Sequence, residues 1–187
     1  MSTASVITPA LVTAEEFAQR PDPGYPEELV RGRIVPMTMP KPRHGEICGN
    51  VVLLLGSFVK ERDLGRVLSN DTGVITQRGP DTVRGADVSF YSFARVPKGP
   101  LPDRYLDVPP ELVVEVLSPS DRWPKVLAKV AEYLDAGTTA VLVLDDQRRL
   151  AHIYQADGTT RLLGEDEELR IPDLLGDFHV KVERFFA

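Results

Sequence analysis

Cysteine is nearly absent from this chain. Cys48 is the single thiol, so there is neither an internal disulfide nor a cysteine zinc cluster. His152 and His179 lack ligand-spaced partners, which argues against a histidine zinc site. No apolar run reaches the ~18 residues that a membrane helix needs. The opening "MSTASVITPALVT" lacks the basic start and long apolar core of a signal peptide. Together these absences lead us to expect a cytoplasmic, reducing setting. Positive charge is also short, with 22 Lys and Arg against 28 Asp and Glu and a net charge of −6. That balance counts mildly against a nucleic-acid partner, because phosphate binding leaves a basic footprint. A local basic groove or a bound cation can reverse the field at one site.

What is present reads as an ordinary globular chain. A length of 187 residues predicts one domain over 1–187, with 1–12 a flexible N-terminal segment. "TAEEFAQR" opens with a capping box, Thr13 and Glu16, and predicts a short helix. "ELVRGRIVPM" predicts two strands about an Arg-Gly turn. "HGEICGNVVLLLGSFVKERD" is helical, with Ile47, Val51, Leu54, Leu55, Phe58 and Val59 on one face. "GRVLS" and "GVIT" read as two short strands. "VRGADVSFYSF" alternates, placing Ala86, Val88 and Phe90 opposite Asp87, Ser89 and Tyr91.

"ELVVEVL" is a nearly continuous apolar strand, so it should be central and covered on both sides. "DRWPKVLAKVAEYLDAG" is an amphipathic helix with a stripe of Trp123, Val126, Leu127, Val130 and Leu134, capped by Asp121 and ended by Gly137. "TAVLVLD" is a second buried strand, Asp145 and Asp146 make the turn after it, and "LAHIYQADGTTRLLG" is a hairpin. The proline-rich "RVPKGPLPDRYLDVPP" is a long surface loop. The order predicts an α/β fold with a βαβ unit, a central mixed sheet flanked by helices, and extra N- and C-terminal β-hairpins.

Two carboxylates stand where strands are expected. Asp87 and Glu115 lie on separate strands, and Glu115 shares a face with Val113 and Leu117. Two such acids can converge on Mg²⁺, which takes one or two protein carboxylates and keeps several waters. A cation held there activates water and stabilises a phosphoryl transition state. From spacing alone a second reading stays open: Asp87 marks a strand end and Glu115 pairs with a buried base.

The pieces "EELVRGRIV", "PRHGEI", "VRGADVSF", "LVVEVLSPSD", "KVAEYLDAG", "VLVLD" and "FHVKVERFF" occur in one order from about Thr13 onward. In that order the chain resembles the Uma2 (Uma-two) family, a restriction-endonuclease-like branch of the PD-(D/E)XK nuclease fold. "VVEVLSPSD" followed by "K…EYLDAG" is the most specific part. The resemblance implies a metal-dependent endonuclease with Mg²⁺ or Mn²⁺ as cofactor, nucleic acid and DNA first as substrate, and a homodimer to cut two strands. It makes Asp87 and Glu115 the metal ligands and Glu28 an assisting acid. Glu27 stands where the family usually has tyrosine.

In the parent pattern a lysine follows the glutamate by two residues, and here that place is Leu117. The resemblance moves the lysine to Lys129 on the next helix. The helical wheel agrees, since Lys129 lies at the edge of the apolar stripe and Lys125 further round. Such an ammonium could position a water or neutralise phosphate charge.

His44 and Ser118 are accessory candidates. His44 starts the long helix, and Ser118 follows the glutamate strand without a histidine motif to activate it. Cys48 reads as a packed thiol. Beside the nuclease stand two rivals: a non-catalytic nucleic-acid-binding or assembly module on the same fold, and a small-molecule phosphodiesterase. The terminal "VERFF" either closes the core or serves an interface.

Overall fold

The structure, a computed structural model, describes residues 10–187. The segment expected to be flexible, 1–12, lies mostly outside the described residues. Within them, the Val12 amide donates to the Gly32 carbonyl at 2.9 Å.

Helix α1, Ala14–Ala18, begins at the expected capping box: the Glu16 amide donates to Thr13 Oγ1, and the Thr13 amide to the Glu16 carboxylate. Strands β1, Glu27–Val30, and β2, Arg33–Pro36, form a hairpin. Its turn residues Arg31 and Gly32 have φ of 50° and 71°, which matches the twist of the flanking strands. Helix α2, Pro42–Glu61, buries Ile47, Val51, Leu55 and Val59.

Two segments expected as separate short strands form one, β3, Gly65–Gln77. The Asn70-Asp71 pair lies between the two segments. It makes a bulge: the pairing with β4, Thr82–Ser92, shifts between Ser69 and Thr72. Both bulge residues have positive φ, 69° and 52°, a region that Asn and Asp tolerate better than most side chains.

Strand β5, Leu112–Val116, is buried along its whole length, as the apolar run demands. Helix α3, Trp123–Asp135, crosses from it to the parallel strand β6, Ala140–Asp145, completing the βαβ unit. Two details of α3 differ from the sequence reading. Arg122, not Asp121, holds the N-cap position, and the Asp121 carboxylate instead accepts the Ser118 amide at 2.7 Å. Leu127 is 44% exposed, and the buried residues of the helix are Val130 and Tyr133. Gly137 ends the helix at φ 102°, as expected.

Strands β7, Leu150–Gln155, and β8, Thr160–Gly164, continue the sheet as a hairpin. The eight-stranded sheet runs β2-β1-β4-β5-β6-β7-β8, with β3 also paired to β4. A small ladder of β9, Glu168–Arg170, and β10, His179–Lys181, flanks α4, Pro172–Leu175. A 3-10 turn over Val182–Phe185 follows.

The sheet separates two apolar layers. Val88, Phe90, Leu112, Val114, Leu142 and Leu144 pack on the α2 side, and Val182, Phe185 and Phe186 join them, so "VERFF" closes the core. Val113, Val141, Val143, Val130 and Tyr133 pack on the α3 side. The carbonyls of the last turn also fix α2. Phe186 O accepts from Arg43 Nη2 at 2.8 Å, and Phe185 O from Asn50 Nδ2 at 3.1 Å.

The expected alternation of β4 breaks at Asp87. Ala86 packs in the α3-side layer, whereas Val88 and Phe90 pack in the other. The reason lies in the edge of β4 that β3 does not occupy. β1 pairs there at Val83, and β5 pairs only from Val88 to Phe90. Between them β4 loses its ladder partner, and the side chains that gather there define the candidate site.

Candidate functional site

Asp87, Glu115, Lys129, Glu28, Arg84, His44 and Tyr133 meet around the gap in β4. Asp87 sits at its upper end, and its Oδ2 accepts the Val116 amide at 2.6 Å. A side chain thus takes the place of the missing ladder bond between β4 and β5 and fixes the carboxylate in one orientation.

Glu115 projects from β5 toward α3. Lys129 Nζ donates to its Oε2 at 2.9 Å, and Tyr133 OH donates to its Oε1 at 2.8 Å. Lys129 and Tyr133 are i and i+4 on α3, so one face of one helix serves both carboxylate oxygens. Burial nevertheless pushes Glu115 up to about 7, against the opposing pull of the Lys129 charge. The tyrosine hydroxyl is likewise pushed up by burial and then by Glu115. Lys129 is held firmly protonated, the carboxylates of Glu115 and Glu28 outweighing its own desolvation.

Glu28, on β1, is also buried and fully engaged. Its Oε1 accepts the Gly85 amide at 3.1 Å and lies 3.3 Å from Lys129 Nζ. Its Oε2 accepts Arg84 Nη1 at 2.8 Å, and Arg84 reaches on to Glu132 of α3 through Nε and Nη2 at 2.6 and 2.9 Å. The Gly85 carbonyl accepts from Lys129 at 3.0 Å. Lys129 therefore has three acceptors for three protons.

On the α2 side, His44 Nε2 is 3.3 Å from Asp87 Oδ2. Its hydrogen bond to Asp87, and next the one to Cys48, raise the imidazole to about 11. The thiol of Cys48, one turn further along α2, stands 3.5 Å from His44 Nδ1.

The structure thus brings together Asp87, Glu115, Lys129, Glu28 and His44, the residues singled out from sequence. It leaves Ser118 apart, with its hydroxyl 2.9 Å from that of Ser120. Lys125 is exposed, and Leu117 is partly buried in the α3-side layer. Asp146 pairs with Arg43 at 2.7 Å, and Asp145 accepts from Arg148.

Asp71 went unnoticed in the sequence. The β3 bulge turns it toward Asp87, and its carboxyl is raised first by burial and then by the Asp87 charge. The available signal was "SNDTG", a run that favours left-handed backbone inside a strand pattern. A cleft of about 290 Å³, lined by Leu68, Thr72, Gly73, Tyr91 and Tyr105 among others, is bordered by none of the clustered carboxylates.

The Uma2 family profile, described as "Putative restriction endonuclease", matches residues 14–183. The chain belongs to the Uma2 family. A crystal structure from Anabaena variabilis, described as that of a "putative nuclease", shares the fold with a TM-score of 0.81. It is 22% identical in sequence, and the match covers 94% of this chain and 97% of that one. No curated protein matches. The Uma2 membership and this likeness agree with a nuclease-like mixed α/β fold, and the gap in β4 lies between "RGADVSF" of β4 and "VVEVLSPSD" of β5 and the turn after it.

Proposed function

We propose that this chain is a divalent-metal-dependent endonuclease that hydrolyses phosphodiester bonds of nucleic acid, DNA first. The observation that carries the reading is the 2.9 Å contact of Lys129 with Glu115, because it completes an acid–acid–lysine set from three separate elements.

The residues suit a hard cation. Glu115 is a buried carboxylate whose proton affinity stays raised despite a lysine and a tyrosine, so a further positive charge would be welcome there. Asp87 offers a second oriented carboxylate. An all-oxygen set of one or two acids plus waters is what Mg²⁺ or Mn²⁺ takes. Asp87 and Glu115 would hold the ion. When bound, it would polarise the phosphodiester and make water a better nucleophile at neutral pH.

The chain's own groups supply the rest. Lys129 places a desolvated ammonium beside the acids, where it can orient a water or answer the charge of the phosphorane-like transition state. Tyr133 fixes the Glu115 carboxylate. Glu28 acts through Lys129 as a positioning residue, because its own oxygens are taken by Arg84 and Gly85. His44 is an accessory that steadies Asp87. Cutting both strands calls for two sites, so a homodimer is part of the proposal.

The test is cleavage of linear, circular and single-stranded DNA, and of RNA, with Mg²⁺ or Mn²⁺, against Glu115→Gln and Lys129→Met. Metal-dependent cleavage lost in both variants supports the reading. No cleavage together with no divalent binding by calorimetry points to a non-catalytic module. Light scattering after size exclusion reads the oligomeric state.

A further inference from the structure

Cys48 is the one thiol of the chain, and the proposed hydrolysis does not use it. Its place is nevertheless specific. His44 and Cys48 are i and i+4 on α2 and so project from the same face of a 20-residue helix. Asp87 faces them from the sheet. One donor atom from each of the three residues lies within 4.8 Å of the others.

The chemistry of this set differs from that of the acids on the α3 side. A thiol, an imidazole and a carboxylate are a poor match for Mg²⁺, which takes oxygen. They match Zn²⁺ and other borderline or thiophilic ions, which accept sulfur, nitrogen and oxygen together. Tetrahedral donors around zinc stand roughly 3.5 Å apart, so the three must close by about an ångström, and the ion must displace one imidazole proton of His44 and the thiol proton of Cys48. Three protein ligands leave a fourth position for water. The Val116 amide on Asp87 Oδ2, at 2.6 Å, supplies the outer hydrogen bond that orients a ligating carboxylate.

We propose that His44, Cys48 and Asp87 form a second metal site, selective for Zn²⁺-like ions, and that an ion there withdraws Asp87 from the catalytic pair and silences the enzyme. The inhibitory half rests on the proposed nuclease reading; the site itself does not. Asp87 is common to both constellations, so the two ions compete for one carboxylate.

Co²⁺ is the probe, because a cysteine thiolate bound to it gives a charge-transfer band, and this chain has only one thiol to give it. The expected result is a band that saturates at one equivalent of Co²⁺ on the wild-type protein and is bleached by Zn²⁺. Cys48→Ser abolishes the band and weakens Zn²⁺ binding at least about tenfold. Glu115→Gln, shown folded by circular dichroism, keeps the band. In the cleavage assay, equimolar Zn²⁺ inhibits the wild type in the presence of Mg²⁺ and spares Cys48→Ser. No band on folded wild-type protein overturns the site, and so does a band that requires Glu115. Cleavage without a band removes the site and keeps the nuclease. A band without cleavage under any condition removes the nuclease and the inhibitory half, and keeps the site.

Discussion

Gly85 and Asp71 face each other across the β3–β4 pairing so closely that a β-carbon at Gly85 would lie 3.1 Å from the Asp71 β-carbon and 3.2 Å from its carbonyl oxygen. Gly85 also offers its amide to Glu28 and its carbonyl to Lys129. Gly85→Ala therefore pushes on the bulge and on the lysine's anchor together. We expect a loss of about 1–3 kcal/mol in urea unfolding and a loss of cleavage larger than that stability change explains. An unchanged unfolding curve would show that the bulge yields freely.

Lys129→Met removes the ammonium that serves both Glu115 and Glu28. Breaking a buried pair from one side costs about 3 kcal/mol or more, and losing a positioned donor costs cleavage about 100-fold or more. Glu115→Gln in the Lys129→Met background should restore part of the stability and none of the activity. A double variant as unstable as the sum of the singles would place the lysine's role outside this pair.

The pH dependence of the metal-free protein follows from Glu115. Its folded value, about 7, lies above the ordinary 4.5. Between those values the folded state holds a proton that the unfolded state has released, so stability falls as pH rises through this window. The decline ends above about 7, once both states are ionised. Unfolding followed in EDTA should show this slope in wild type and a shallower one in Glu115→Gln. Parallel curves would mean that Glu115 ionises normally.

Arg84 spans Glu28 of β1 and Glu132 of α3. Arg84→Gln should cost about 1.5–3 kcal/mol, the range for hydrogen bonds to charged groups. As a change in a positioning residue it should lower kcat with little effect on KM. Arg84→Lys should recover little, because a single ammonium cannot reproduce the bidentate fork on Glu132. A KM effect of the same size would put Arg84 in contact with substrate.

The sequence made some of this site easy to read and hid the rest for physical reasons. β5, α3 and β6 carry strong apolar patterns, so Glu115 was conspicuous as the one charge in a buried strand. The wheel of α3 put Lys129 beside the apolar stripe, where the structure has it. The same wheel put Leu127 in the core, where the structure exposes it, and left out Tyr133, which is buried and donates its hydroxyl to Glu115. Asp71 was hidden because a bulge inverts the alternation on which strand reading depends. The face of Ala86 was misjudged for a related reason: Asp87 lies opposite the β3 bulge and has no partner on the other edge of β4. The Cys48–His44 contact follows from helical spacing, yet only the tertiary position of Asp87 makes it a cluster.

The last turn has a consequence for partial chains. Every residue of both proposed sites lies at or before Tyr133, yet the helix that carries His44 and Cys48 is tied to carbonyls at 185 and 186, and one tie spans 143 positions. Contacts so distant in sequence form late and cannot be replaced locally. A fragment ending at residue 181 would hold the whole set of motifs and lack the ties that seat the helix. Under the proposed activity, such a clipped chain is a disarmed one.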